Sequence, residues 1–232
     1  MIGNTLVILV FVWDKKLLKK SYNMLILSLA ISDVLTALLL ITNPAFVLGD
    51  LFPYPTNHVL GELFCRFMWS RSVLFQLATL SVYICLVLTA ERWFAVVKPQ
   101  RYSDIFSRKR VICYIFSSWM CAFLTTVTGM IETAYRPGSL NQICERQFIG
   151  KGTVARVLLG VFQVIMKMFF PCLVMIGLYI HMVVKVNTSS AASAASKAKL
   201  RGSTDTDGGR DLFHFDHLLR AKPNLICVGN GG

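Results

Sequence analysis

The strongest constraint on the fold is a series of long apolar segments. A membrane-spanning helix needs about 20 mostly apolar residues, and four windows meet this requirement: 23–48, 67–90, 111–131 and 157–184. A fifth segment, 2–13, is apolar but shorter than a span, and it lacks the basic start and cleavage site of a signal peptide. With 55% hydrophobic and only 16% charged residues, the chain is too apolar for an ordinary soluble domain. These segments predict an all-α membrane protein, a partial helix bundle of five spans.

Basic residues lie mainly in the connectors between the apolar segments. The net charge is +12, but the cations form no continuous basic face, so we expect no nucleic-acid partner. Four lysines lie within 14–21, six basic residues lie within 91–110, and more follow the fifth span. By the positive-inside rule the first, third and fifth spans end in the cytoplasm. We therefore expect a multi-pass membrane protein whose N-terminus lies outside the cytoplasm.

The character of the chain changes after residue 186. Residues 1–186 form the predicted membrane domain, whereas 187–232 begin with a Gly-, Ser- and Ala-rich stretch and are predicted to be a disordered cytoplasmic segment. His214 and His217 lack a second pair of ligands, so we expect no metal site there. The chain shows no phosphate loop, nucleophile elbow or paired metal motif, which argues against an enzyme.

Two groups of polar residues lie within the apolar segments. A carboxylate in mid-span costs about 3 kcal/mol, so Asp33 is either a neutral carboxyl hydrogen-bonded to nearby serines or part of an ion or water site. Glu91 and Arg92 end the third span on the cytoplasmic side. Adjacent helical side chains point about 100° apart, so Glu91 holds Arg92 only loosely. The pair is either an interfacial anchor together with Trp93 or a switch in which Arg92 changes partner.

Cysteine placement limits the possible disulfides. Seven cysteines cannot all pair. Cys65 and Cys144 fall in the two connectors assigned to the oxidising side, so a disulfide between them is permitted.

Several motifs occur in an order that resembles a rhodopsin-like (class A) G-protein-coupled receptor. They are GNTLVILV, NMLILSLAISD, SVYICLVLTAERWFAVVKPQRY after Cys65, Trp119, Cys144 and FFPCLVMIGLYI. No single motif is specific to the family, but six motifs that occur in the family's order and on the expected spans form a specific pattern. The resemblance covers about residues 1 to 186.

The resemblance implies three functional groups of residues. The first is a polar core with a possible Na⁺ site. The second is an extracellular disulfide, and the third is an activation switch that faces a heterotrimeric G protein, with Trp93 in place of the family's usual tyrosine. The residues are Asn4, Asp33 and Ser81 for the core, Cys65 and Cys144 for the disulfide, and Glu91, Arg92, Trp93 and Tyr179 for the switch.

The resemblance also bears on the ligand. Amine receptors of this family use an aspartate in the outer half of the third span, but residues 70–78 contain no acid. We therefore expect a peptide-type ligand with an acidic group. The candidate pocket residues are Arg71, Leu74, Gln163 and Lys167. The alternative is that Arg71 and Lys167 extend towards the membrane surface or pair with Glu132.

The chain departs from the family pattern in two respects. Cys65 and Arg92 are 27 residues apart, two more than is usual, so the outer third span is either insertion-bearing or misaligned. No segment resembles the family's sixth and seventh spans. We therefore expect an incomplete receptor that does not signal as written. The alternatives are a non-signalling chain that forms a receptor dimer with full-length relatives, and a small transporter or channel subunit, which the lack of repeats disfavours.

Overall fold

The computed structural model describes residues 1–43, 55, 57–136, 144–147 and 152–191 and divides into two units, Met1–Met182 and Val183–Gly232. The first helices are α1 (Ile2–Trp13), α2 (Ser21–Thr42), α3 (His58–Leu63), α4 (Ser72–Val97), α5 (Pro99–Ile105) and α6 (Arg108–Ile131). The last helix, α7, covers Thr153–Ala191. Two short strands, β1 (Thr133–Tyr135) and β2 (Cys144–Arg146), pair antiparallel. In the second unit only 183–191 are described, and there the Thr188 hydroxyl donates to the Val184 carbonyl at 2.8 Å.

Four helical segments are long and apolar enough to cross a membrane. They are Ser21–Thr42, His58–Val97, Arg108–Ile131 and Thr153–Ala191, and α1 is a shorter apolar helix. Large apolar side chains on these helices are exposed, as lipid-facing positions require; Leu124, for example, is 64% exposed. The prediction of an all-α partial bundle is confirmed. The predicted disorder of 187–232 is wrong for residues 187–191, which are helical. The rest of that segment, with His214 and His217, lies outside the described residues.

The core forms where α2, α4 and α6 meet. Leu25, Ile84, Val111 and Ala122 have no exposed surface, and Phe106, just after α5, packs against the same cluster. Pro99 occupies the first turn of α5, where its missing N–H leaves no helix hydrogen bond unmade. The short α5 is thereby fixed beside the end of α4. We call this end of α4 inner and the opposite end outer, after the predicted orientation.

Two predicted span boundaries are wrong for identifiable reasons. The window 23–48 was too long because α2 ends at Thr42 and Asn43 is extended, as expected for a residue that precedes a proline. The window 67–90 was too short. His58 and Glu62 interrupt the apolar pattern of α3, yet the helical path of the third span begins at His58.

The third span is interrupted by a break between α3 and α4. A π turn covers Phe64–Trp69, and Arg71 then adopts the left-handed conformation with φ 59°. Side chains satisfy the displaced backbone groups: the Asn43 amide donates to the Met68 carbonyl at 2.8 Å, and the Ser70 hydroxyl donates to the Arg66 carbonyl. A π turn accommodates extra residues within a helix. The long spacing between Cys65 and Arg92 is therefore absorbed at this break.

The left-handed Arg71 supports a first prediction. A left-handed backbone costs an ordinary residue roughly 1–2 kcal/mol, whereas asparagine tolerates it better. Arg71→Asn should therefore unfold at a higher temperature than Arg71→Ala, with a difference in free energy of roughly 0.5–1 kcal/mol. Both variants lose the arginine side chain, so its contacts cancel in the comparison. Thermal unfolding in detergent measures the difference; equal midpoints would contradict the conformational explanation.

Candidate functional site

At the outer end a disulfide joins the third span to the strand pair. Cys65 and Cys144 are bonded, with their Cα atoms 5.4 Å apart, and both are buried. Phe64, Met68 and Tyr135 pack around them. The predicted disulfide is confirmed, and it ties β2 to the π turn of the third span.

The packing between α3 and β1 reinforces this connection. The Tyr135 N–H donates to the Glu62 carboxylate at 3.3 Å, and Arg66 donates to the same carboxylate at 2.8 Å. Gly61 is required below the Tyr135 ring, because a Cβ atom there would lie only 2.6 Å from the ring. The outer end of the third span and the strand pair therefore form one packed unit.

A cavity of about 400 Å³ lies between α4, α6 and α7, beside the break in the third span. Its charged lining groups are Glu132, Arg146 and Lys167. The Lys167 ammonium lies 3.4 Å from the Gln163 amide oxygen, and the Gln163 amide nitrogen donates to the Thr128 hydroxyl at 2.5 Å. The bond to Thr128 links the cavity-facing side of α7 to α6, whereas the bond between Lys167 and Gln163 lies within α7.

Only part of the predicted pocket faces this cavity. Gln163 and Lys167 line it, whereas Arg71 and Leu74 are not among the lining residues. Arg71 occupies the break, and Leu74 is buried in the bundle.

In mid-bundle, Asp33 connects three helices. Its carboxylate accepts a hydrogen bond from the Asn4 amide at 2.9 Å and another from the Ser81 hydroxyl at 2.7 Å. Ser32 lies 2.8 Å from Ser81, oxygen to oxygen. The structure thus brings together all three residues of the predicted polar core. Their carboxylate and hydroxyl oxygens are ligands that suit a hard cation.

At the inner end, the buried Glu91 is held by a tyrosine from α5. The Glu91 side chain is 1% exposed, and the Tyr102 hydroxyl donates to its Oε1 at 2.5 Å. Burial, with the hydrogen bond to Glu91 as a second cause, raises the pKa of Tyr102 to about 12. Tyr102 therefore keeps its proton at physiological pH and remains a donor.

Arg92 is held more weakly than Glu91. Its Nε lies 3.3 Å from Glu91 Oε2, yet that buried oxygen accepts no hydrogen bond from the described residues. The pair is thus within ion-pair distance without hydrogen-bond geometry, as expected for neighbours on one helix. The Arg92 guanidinium also lies 4.7 Å from the centre of the Tyr22 ring, within cation–π range. Its side chain is 53% exposed, so a new partner can reach it.

The other two predicted switch residues differ in their contacts. The Trp93 indole N–H donates to His181 Nδ1 on α7 at 3.0 Å. Tyr179, also on α7, is 60% exposed, and among the described residues it has no hydrogen-bond partner. Glu91, Arg92 and Trp93 therefore each contact a side chain of another helix, whereas Tyr179 forms no hydrogen bond with them.

Comparison with known families decides the class of the protein. Residues 3–206 match the profile of the family described as 7 transmembrane receptor (rhodopsin family). The chain belongs to this receptor family. It is therefore a membrane protein of the G-protein-coupled receptor class, as its motifs predicted.

Several named receptors are similar to this rhodopsin-family chain. The alpha-2B adrenergic receptor of Talpa europaea is 27% identical over 97% of this chain and 53% of its own length. The 5-hydroxytryptamine receptor 1 of Aplysia californica is 31% identical over 53% of this chain and 26% of its own length. A QRFP-like peptide receptor of Branchiostoma floridae is 24% identical over 78% of this chain and 47% of its own length. The chain thus spans about half or less of the length of these receptors.

Sequence reasoning missed several contacts of the receptor chain. Arg146 was not placed in the pocket, because a position in an outer connector does not show which way a side chain points. Tyr102 was not linked to Glu91. A sharper signal was available, because Pro99 starts a helix that can turn Tyr102 back towards Glu91. Tyr22 and His181 carried no sequence signal that would link them to the switch.

Proposed function

We propose that this chain supplies the ligand-binding and switch elements of a plasma-membrane receptor that activates a heterotrimeric G protein. One observation carries the proposal: a single helix, α4, runs from a cavity at its outer end to the buried Glu91 and its neighbour Arg92 at its inner end. A ligand that changes the packing of α4 in the cavity would act on Arg92 through that helix. The proposed orientation places the N-terminus and the cavity outside the cell, which agrees with the basic connectors. A receptor dimer stays a prediction.

The proposed ligand is a peptide that inserts an acidic group into the cavity. Among the described lining residues, Lys167 and Arg146 outnumber the one carboxylate, Glu132, and no described carboxylate forms an ion pair with Lys167. A ligand carboxylate would give the Lys167 ammonium a stronger, charge-assisted partner than the Gln163 amide oxygen 3.4 Å away. The volume of about 400 Å³ is at the small end of ligand pockets, so it would take one end of a peptide.

The second candidate is an amine ligand bound by Glu132. The similarity to receptors named for serotonin and adrenergic ligands favours this candidate, and Glu132 supplies a carboxylate in the cavity. Against it, the described lining of the cavity includes two cations, Arg146 and Lys167, and residues 70–78 of the third span carry no acid. The two candidates differ in which side chain the ligand requires.

A role for Asp33 as a sodium site belongs to the same proposal. Asp33 and Ser81, with Asn4 nearby, would hold Na⁺ through carboxylate and side-chain oxygens. The ion would supply positive charge at the carboxylate that otherwise accepts hydrogen bonds from α1 and α4.

Charge changes at the cavity test the ligand class. A full-length receptor that contains this chain would be expressed in cells with a reporter of G-protein activation and exposed to a panel of peptides and of amines. If an acidic group binds Lys167, Lys167→Glu should weaken peptide potency roughly 10- to 100-fold, the effect of losing a charged hydrogen bond. Lys167→Gln should have a smaller effect, because the side chain becomes neutral but not repulsive.

The matched control is Glu132→Gln. It should leave peptide potency nearly unchanged, whereas an amine ligand would lose potency with Glu132→Gln and not with Lys167→Gln. Surface expression measured on the same cells separates potency from folding. Unchanged potency of Lys167→Glu at normal expression would refute the acidic-ligand proposal.

A further inference from the structure

We infer that His181 is a positioning residue of the switch: its uncharged imidazole holds Trp93, and with it the inner end of α4, against α7, and protonation releases this contact. The inference rests on the proposed function insofar as it concerns signalling. The contact itself is independent of that function. It joins two spans directly beside Arg92, because Trp93 is the next residue along α4.

The geometry of the contact requires an uncharged imidazole. The indole N–H of Trp93 is only a donor, and it points at His181 Nδ1 from 3.0 Å. An imidazole accepts through Nδ1 only when its proton sits on Nε2; when charged, both nitrogens are donors. Proton binding therefore replaces an acceptor with a donor and abolishes the hydrogen bond.

The surroundings of the ring pair make it responsive to protons. His181 is exposed, and the Lys98 ammonium lies against the Trp93 indole ring to which His181 is bonded, which indicates a position at the inner membrane boundary where protons reach it. The His181 and Trp93 ring centres are 5.6 Å apart at an angle of 51°, and the Lys98 ammonium lies 5.6 Å from the same indole ring. A charged His181 would thus be a second cation beside this ring.

The other charged groups near the pair are already engaged or cationic. On α4, Arg92 lies against Glu91 and the Tyr22 ring, and the Glu91 carboxylate is buried and bonded to Tyr102. Along the sequence of α7 the next charged residue after His181 is Lys185. No described carboxylate forms an ion pair with His181. Protonation of His181 therefore gains no compensating ion pair among the described residues.

The contact coexists with Arg92 held by Glu91 and Tyr22, so it belongs to the same closed arrangement of the inner end. Holding Trp93 against α7 restricts rotation of the inner end of α4. Such a rotation would separate Arg92 from Tyr22. Release of Trp93 should therefore favour the arrangement in which Arg92 is free.

The decisive experiment follows the indole N–H signal of Trp93 in the full chain, labelled with ¹⁵N and reconstituted in lipid nanodiscs. The chain has four tryptophans, so Trp93→Phe assigns the signal and the other three report on folding. The expected result is a shift of the Trp93 signal when the sample is acidified, because protonation of His181 removes the acceptor of its hydrogen bond.

Two variants distinguish the effect of losing the hydrogen-bond acceptor from the effect of protonation. In His181→Gln the amide oxygen can accept from the indole but does not titrate, so the Trp93 signal should stay at its bonded position at every pH. In His181→Leu the acceptor is gone, so the signal should stay at the unbonded position. The proposed contact is refuted if the Trp93 signal of the wild type does not change with pH, or if His181→Leu shows the same change as the wild type.

Basal nucleotide exchange on a purified G protein, measured with a full-length receptor that contains this chain, tests the positioning role. Acidification should raise exchange by wild type roughly two- to tenfold, the worth of one hydrogen bond, relative to His181→Gln at the same pH. His181→Leu should show the raised level throughout. The positioning role is overturned if exchange is measurable but its rate is the same for the wild type and for both variants. Absence of exchange from every variant, with the titration of Trp93 intact, instead overturns the proposed receptor function.

Discussion

Replacing Cys65 and Cys144 together by serine should lower the free energy of unfolding by about 4 kcal/mol. The disulfide closes a loop between residues 79 positions apart, and in the chain-entropy account a loop of this length contributes about 4 kcal/mol. The bond also lies inside the buried cluster that joins the π turn to β2, so its loss should loosen the outer end first. Thermal and denaturant unfolding of the purified protein in detergent measures the effect.

The control is a cysteine of the same chain that forms no disulfide. Cys113 is free and exposed on α6, and Cys113→Ser should change stability by no more than about 0.5 kcal/mol. A reducing agent should lower the stability of the wild type and leave the double serine variant unchanged. Equal unfolding midpoints for the wild type and the double variant would show that the bond does not hold the outer end together.

Glu91→Ala should lower the free energy of unfolding by about 3 kcal/mol, the usual range for removing one partner of a buried polar group. The substitution leaves the Tyr102 hydroxyl without its acceptor, removes the counter-ion of Arg92 and empties a site that is 1% exposed. Glu91→Gln is the matched variant. It keeps the volume and an oxygen that can accept from Tyr102, so it should cost the fold clearly less than Glu91→Ala.

The two variants also separate stability from signalling. Glu91→Gln removes the charge opposite Arg92, so in the proposed receptor it should raise basal nucleotide exchange on the G protein while the protein remains folded. Tyr102→Phe removes only the donor and should have a smaller effect on exchange, because the charge of Glu91 remains. If Glu91→Ala and Glu91→Gln were equally stable, the bond from Tyr102 would not matter to the fold.

Sequence patterns predicted the features that depend on composition and on neighbouring residues. Apolar length alone predicted the long helices, because a bilayer accepts few other structures. Helix geometry predicted that Glu91 and Arg92 interact only weakly, and the structure confirms that the two side chains are close without a hydrogen bond. The disulfide was expected because its cysteines resemble the family's pair on the same side of the membrane.

Features that depend on where distant segments meet could not be predicted. The contact of Trp93 with His181 joins residues 88 positions apart, and nothing near either residue marks the other. Arg71 was assigned to the pocket because of its charge and position, and a left-handed backbone at a non-glycine residue has no sequence signal. Arg146 was not predicted to line the cavity, because its position depends on the pairing of β1 with β2, which joins separate segments of the chain.

The break between α3 and α4 changes how the third span can vary. In an unbroken helix each added residue rotates every later side chain by about 100°, so two insertions would turn Ser81 away from Asp33 and Glu91 away from Tyr102. Here the irregular turn takes up the extra length above Ser72, and the lower part keeps its rotational phase. Residues can thus be gained or lost in the outer half of the span without changing the contacts of the inner half.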